Sequence, residues 1–129
     1  MLQGQHVLVI EDEPLIALDL EQALTSAGAA VGIAHTAASA IRAAESPAFN
    51  AAIVDLRLHG QSVRAAVERL AARDLPFLFY SGHTETPTAA SWPSVPFLIK
   101  PLPPAEVVDM LARTVSAKHG RADENRDPA

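Results

Sequence analysis

The stretch VLVIEDEP, residues 7 to 14, decides the fold. Four apolar residues, Val7 to Ile10, run straight into the carboxylates of Glu11, Asp12 and Glu13. The run is short, rich in β-branched residues and continuous, the pattern of a strand covered on both faces. Pro14 then suits the first turn of a helix, where its missing N–H costs nothing. The acids therefore stand where a buried strand stops and a helix begins. In an open parallel sheet, that edge is where ligands bind. Three adjacent like charges repel one another, and such a site usually needs a cation to hold them.

The same alternation repeats along the chain. Ile16, Leu20, Leu24 and Ala27 share one helical face, and Gly28 ends that helix. AVGIA, residues 30–34, is a short strand. Thr36 caps an alanine-rich second helix that stops before Pro47. AAIVDL, 51–56, is another buried strand, and it too reaches an acid, Asp55. A third helix carries Val63, Val67 and Leu70 at helical spacing. Pro76 opens the strand FLFYS, which ends at Ser81 and Gly82. The segment HTETPTAASWPSV, 83–95, holds two prolines and little periodicity, so only a short or irregular fourth helix is expected there. PFLIKP gives a last strand ending at Lys100. Pro103 and Pro104 lead into a helix with Val107, Val108, Leu111 and Val115 inward. Five βα units read as one parallel sheet with helices on both faces. One domain is expected over residues 1–117. The tail KHGRADENRDPA, 118–129, is charged, apolar-poor and expected to be disordered.

Bulk properties exclude several functions. The 129 residues suffice for one core, and the net charge of −5 gives no support to nucleic-acid binding. With no cysteine, disulfides and thiolate metal sites are ruled out, which fits a reducing cytoplasm. The opening MLQGQH shows no charged region followed by an apolar one, so no signal peptide is expected. No apolar run approaches the roughly 20 residues of a membrane helix.

Four strands end on polar residues: Glu11 with Asp12, then Asp55, Ser81 and Lys100. In a parallel sheet all strand C-termini share one edge, so these side chains converge. Carboxylate oxygens suit Mg²⁺, a hard cation that keeps several waters. One carboxylate can act as a nucleophile toward phosphorus. A hydroxyl and an ammonium beyond it can bind phosphoryl oxygens and offset their charge.

With these residues in place, the chain resembles the receiver domain of two-component response regulators over roughly residues 5–117. VLVIEDEPLIALDLEQAL looks like the family's acidic-pair strand and first helix, and IVDLRL like its phosphoacceptor strand. FYSG looks like the hydroxyl strand, and FLIKP like the lysine strand. Any one of these is weak; four in order are specific. The resemblance implies a flavodoxin-like (βα)5 doubly wound α/β fold, with a five-stranded parallel sheet in the order 2-1-3-4-5. It implies that Asp55 accepts a phosphoryl group from a sensor histidine kinase or histidine phosphotransfer protein. Asp12 and Asp55 would bind Mg²⁺, with Glu11 acting through water and the Arg57 backbone carbonyl as a further ligand. Ser81 would hydrogen-bond the phosphoryl group and Lys100 would pair with it. Phe97 holds the place of the aromatic switch. Apart from this self-phosphorylation and autodephosphorylation the chain is not expected to be an enzyme. The expected output is a switched protein surface for an unidentified downstream protein, on a bacterial, cytoplasmic, phosphorylation-controlled monomer or weak dimer.

The sequence departs from the family in two places. Members commonly carry a proline four residues after the phosphoacceptor, whereas this loop reads DLRLHGQSV. A rearranged or shortened loop is expected before the third helix. The segment from Ser81 to Phe97 is short, which argues against the family's usual dimer face. Arg57 and His83, two residues past Asp55 and Ser81, occupy positions that often set phosphate lifetime.

Other readings of single residues are plainer. Glu13 reads as a helix cap near the positive end of the dipole rather than a ligand. His59 and His83 read as surface histidines, and Trp92 as a packing anchor. Three other functions compete with the switch: a phosphate sink or relay shuttle, a phosphorylation-independent adaptor, and a haloacid-dehalogenase-type phosphatase. The last carries its nucleophile in a DxD pattern on the first strand, which VIEDEP lacks.

Overall fold

The structure, a computed structural model, describes residues 1–82 and 86–124, with side chains to residue 120. His83, placed above at a position that often sets phosphate lifetime, lies outside the described residues.

Five strands form the main sheet: β1 (His6–Ile10), β2 (Ala30–Ala34), β3 (Ala51–Val54), β6 (Phe77–Ser81) and β7 (Phe97–Ile99). Every pair is parallel and the order is β2-β1-β3-β6-β7. Counting these five alone, that is 2-1-3-4-5, as expected of a flavodoxin-like fold. The register pairs Val9 with Ile33 and Ile53, so all three strands reach the same edge together.

The continuous apolar runs bury both faces because successive side chains point to opposite sides. Leu8, Ile10, Ala52, Val54, Phe77 and Phe79 enter one core, closed by α2 (Ala37–Glu45) and α3 (Arg64–Ala72). Val7, Val9, Ile53, Leu78 and Tyr80 enter the other, closed by α1 (Pro14–Ser26) and α5 (Pro104–Glu124). Val107, Val108, Leu111 and Val115 are all buried, as their spacing predicts.

Helix ends follow their local chemistry. Pro14 starts α1, and Gly28, at φ +98°, follows its end. Glu13 occupies the N-cap position, but its side chain makes no capping hydrogen bond. Thr36 caps α2 by accepting from the Ser39 N–H, and Ser39 returns a bond to the Thr36 N–H. The fourth helix, α4 (Pro87–Ser91), is five residues long.

Two features go beyond the sequence reading. The loop after Asp55 is rearranged into a small antiparallel hairpin, β4 (Arg57–Leu58) and β5 (Gln61–Ser62). His59 and Gly60 turn it with φ +49° and +78°, the two positive values of a tight two-residue turn. In addition, α5 runs to Glu124, past the domain boundary expected at residue 117. Lys118, at the start of this last part, forms a surface ion pair with Asp74, just past the end of α3. Residues 125–129 of the expected tail lie outside the described residues.

Gly32 in β2 is required by packing rather than by its backbone angle. A Cβ there would stand 2.5 Å from Cζ of Phe49, whose ring also contacts His6 at 4.4 Å between centroids. Overpacking usually costs about 1–3 kcal/mol, and a strand alanine returns about 0.5–1 kcal/mol relative to glycine. Gly32→Ala is therefore expected to lower the urea midpoint by the equivalent of about 1 kcal/mol. Combination with Phe49→Leu should relieve it; a more stable single variant would show that the ring swings away freely.

Candidate functional site

The C-terminal edge of the sheet gathers the polar strand ends. Glu11 and Asp12 follow β1, Asp55 follows β3, Ser81 is the last residue of β6, and Lys100 follows β7. The backbone fixes their heights. The Asp55 N–H donates to the Ile10 carbonyl (2.9 Å), the Glu11 N–H to Ala34 (3.0 Å), and the Lys100 N–H to Ser81 (3.1 Å).

Asp55 is the centre. It is 5 % exposed, and each carboxylate oxygen has its own donor. Ser81 Oγ donates to Oδ1 at 2.7 Å, and Lys100 Nζ donates to Oδ2 at 2.9 Å. The same ammonium reaches Glu11 Oε1 at 2.6 Å. The other Glu11 oxygen accepts from the Glu13 N–H at 3.1 Å. Asp12 stands at the solvent side, its Oδ2 accepting the His59 N–H at 2.7 Å.

Burial sets the protonation of this cluster. It pushes the Glu11 carboxyl up to about 7, against the lowering effect of Lys100 and the Glu13 N–H. For Asp12 burial is the largest single influence and raises, but the His59 N–H, the Glu11 side chain and the His59 ring together outweigh it, and the carboxyl titrates below its ordinary value. Burial would lower Lys100, yet Glu11 and Asp55 together hold its ammonium above the ordinary lysine value.

The Glu11 shift has a definite sign for stability. An acid raised on folding costs stability above its folded value, and this cost disappears below the ordinary 4.5. The opposite shift of Asp12 acts below 3.8, outside that window. Metal-free protein is thus expected to resist urea better at about pH 5.5 than at about pH 8, and Glu11→Gln should flatten the slope. An unchanged slope in the variant would assign the titration to another group.

The donor set fits a divalent cation of the hard kind. Glu11, Asp12 and Asp55 each offer a carboxylate oxygen, and these lie within 4.8 Å of one another. Three oxygens with solvent access at Asp12 suit Mg²⁺, which retains waters. Arg57 opens β4 two residues after Asp55, with its side chain exposed.

The remaining expected residues lie further out. Phe97 is partly buried on the α2–α3 side of the sheet, its ring 6.0 Å from that of Phe79. Trp92 packs against the same core, and the Arg64 guanidinium lies 5.4 Å from its ring centroid. His59 is largely exposed, as expected of a surface histidine, but its backbone and ring both border Asp12; Nδ1 is 3.6 Å from Oδ2. That contact was not foreseen. The sequence carried no clear signal for it, because two-residue hairpin turns are recognised by Asn-Gly, Asp-Gly or Gly-Gly, and this turn is built on His-Gly. Among the described residues no helix is long and apolar enough to cross a membrane.

Solved structures with this fold are numerous. Residues 7–112 match the family model described as the response regulator receiver domain. The phyllosphere-induced regulator PhyR of Methylorubrum extorquens is 34 % identical over 115 residues, covering 85 % of this chain. The match spans 43 % of that relative's own length, so under half of it. A CheY-like receiver domain from Methanospirillum hungatei superposes with a TM-score of 0.81 at 18 % identity, covering 91 % of this chain and 98 % of that one. The receiver domain of a sensor histidine kinase from Pseudomonas aeruginosa, solved with a magnesium ion in its active-site cleft, gives 0.73 at 25 % identity. That match covers 88 % of this chain and 98 % of the other.

Proposed function

From the premise that the chain belongs to the response regulator receiver domain family, we propose that Asp55 takes a phosphoryl group from a histidine kinase or phosphotransfer protein and thereby switches a protein-binding surface. The carrying observation is that the two oxygens of one buried carboxylate are held separately, by Ser81 and by Lys100.

The transfer is a displacement at phosphorus. A carboxylate oxygen of Asp55 forms the new P–O bond, while the bond to the donor's imidazole nitrogen breaks and its electron pair leaves with that nitrogen. The product is an acyl phosphate on Asp55. Lys100 is already in place to neutralise a phosphoryl oxygen, and Ser81 can turn its O–H from Asp55 Oδ1 to another such oxygen. Asp12, Asp55 and the Arg57 carbonyl would hold Mg²⁺, with Glu11 reaching it through water. When bound, the ion supplies positive charge against the phosphoryl oxygens.

The readout begins at Ser81. It ends β6 beside β7, where Ser81 pairs with Ile99 and Phe79 with Phe97. A small movement of the serine toward a phosphoryl group is therefore felt by the strand that carries Phe97. A charge of about −1.5 to −2 added at Asp55 biases that surface between two arrangements. With α4 only five residues long, the surface on this side differs from one built on a full helix.

The test is intact-protein mass spectrometry after incubation with Mg²⁺ and acetyl phosphate. The expected result is one added phosphoryl group that requires the ion. No addition, with kinase or small donor alike, would overturn the proposal and leave a phosphorylation-independent adaptor as the better account.

A further inference from the structure

We propose that Tyr80 is a positioning residue for Lys100, acting through the backbone of Leu102 and through the face of its own ring. The kinetic part of this proposal rests on the phosphoryl-acceptor function above; the structural part does not.

Tyr80 precedes Ser81 on β6 and faces the α1–α5 core, where it is 5 % exposed. A phenol so buried needs partners, and it finds both in one residue. Its hydroxyl accepts the Leu102 N–H at 2.9 Å and donates to the Leu102 carbonyl at 3.2 Å. The choice of Leu102 is dictated by composition. Residues 101–104 read PLPP, and proline has no N–H, so Leu102 carries the single backbone donor between Lys100 and Ala105. Neither a strand ladder nor a helix can tie down such a segment. Tyr80 provides the tie.

Lys100 is thus suspended between two anchors on consecutive residues of one strand. Its own N–H is held by the Ser81 carbonyl at 3.1 Å, and the chain two residues later is held by the Tyr80 hydroxyl. The ring completes the arrangement: Lys100 Nζ lies 5.7 Å from its centroid while bridging Glu11 and Asp55. At that distance the ring face attracts the ammonium. A cavity of about 170 Å³ beside Ile16, Leu20, Tyr80 and Leu102 leaves room for the segment to shift once the tie is cut.

Tyr80→Phe keeps the ring and removes the tie, and Tyr80→Leu removes both. Two measurements decide. Phosphorylation by acetyl phosphate with Mg²⁺ is compared for wild type, Tyr80→Phe, Lys100→Ala and the double variant. The expected loss for Tyr80→Phe is about tenfold, within the ~100-fold that a misplacement of order 1 Å can bring. No further loss is expected when Lys100 is already alanine, because the tyrosine acts through the lysine. The second measurement is the NMR signal of the Lys100 ammonium in protein labelled with ¹⁵N-lysine, assigned by its disappearance in Lys100→Ala. In Tyr80→Phe it should shift and exchange faster with water. Equal losses with and without Lys100 would overturn the proposal, as would an unmoved ammonium signal. If wild type takes up no phosphoryl group, the receiver function fails by itself, and the ammonium signal alone decides on Tyr80.

Discussion

Asp55→Asn is expected to take up no phosphoryl group from acetyl phosphate or a phosphorylated kinase, while folding as well as wild type. The amide cannot form an acyl phosphate, and no other described carboxylate is placed to substitute. Glu11 has one oxygen on the Lys100 ammonium and the other on the Glu13 N–H. Asp12 accepts the His59 N–H and stands on the solvent side. Among the described residues, neither accepts from a serine, threonine or tyrosine hydroxyl as Asp55 does from Ser81. Folding should survive because asparagine has the same shape and its carbonyl oxygen can accept from Ser81 or Lys100. Substitution also removes the Asp55 charge, which adds to burial in raising Glu11. The net change in stability is expected to be within about 1 kcal/mol, measured by urea unfolding beside the mass spectrum. Retention of one phosphoryl group on the variant would mean that the acceptor lies elsewhere. An unfolded variant would leave the chemical reading open, and Asp55→Ala with Mg²⁺ present would then be compared.

Much of this was legible in the sequence, and the legible parts share a physical cause. Val7–Ile10, Ala51–Val54 and Phe77–Ser81 are buried on both faces, so burial alone dictates continuous apolar runs. The chain must turn polar where each run ends, and a parallel sheet places those ends on one edge. Glu11, Asp12, Asp55, Ser81 and Lys100 converge for that reason. The short α4 was legible because Pro87 and Pro93 leave little room for helix between them. The hairpin after Asp55 was not, because Arg57–Ser62 is too short for periodicity to show. Its turn also places His59, a residue with a Cβ, at positive φ. The extent of α5 was missed because Gly120 and the charged residues after Ser116 resemble a tail. A glycine inside a helix costs only about 1 kcal/mol, too little to end α5. Tyr80 was read as one more strand residue. Its signal is non-local: a buried hydroxyl in FLFYS and a lone donor in PLPP, 22 residues apart.

Lys100→Ala is expected to lower the phosphorylation rate by about 10² to 10³, the usual consequence of removing one preorganised charge-stabilising donor. It should at the same time strengthen Mg²⁺ binding. These opposite directions follow from one observation, that the ammonium sits on two of the three carboxylates a divalent cation would use. Lys100 Nζ lies 2.6 Å from Glu11 and 2.9 Å from Asp55, and oxygens of both belong to the trio within 4.8 Å. In the resting protein lysine and a bound metal would therefore compete for the same carboxylates. Once a phosphoryl group were present, both would have oxygens enough and the competition would become cooperation. Loss of the lysine also leaves buried carboxylates uncompensated. Breaking such a pair typically costs about 3–5 kcal/mol, reduced where a carboxyl can take up a proton instead. Glu11, already raised to about 7 by burial, is the group that would do so. The metal-free variant should thus lose more stability at about pH 8 than at about pH 5.5, and saturating Mg²⁺ should restore part of it. Calorimetric titration with Mg²⁺ and the phosphorylation time course read the two halves separately. Weaker Mg²⁺ binding in the variant would show that lysine orders the carboxylates rather than competing for them.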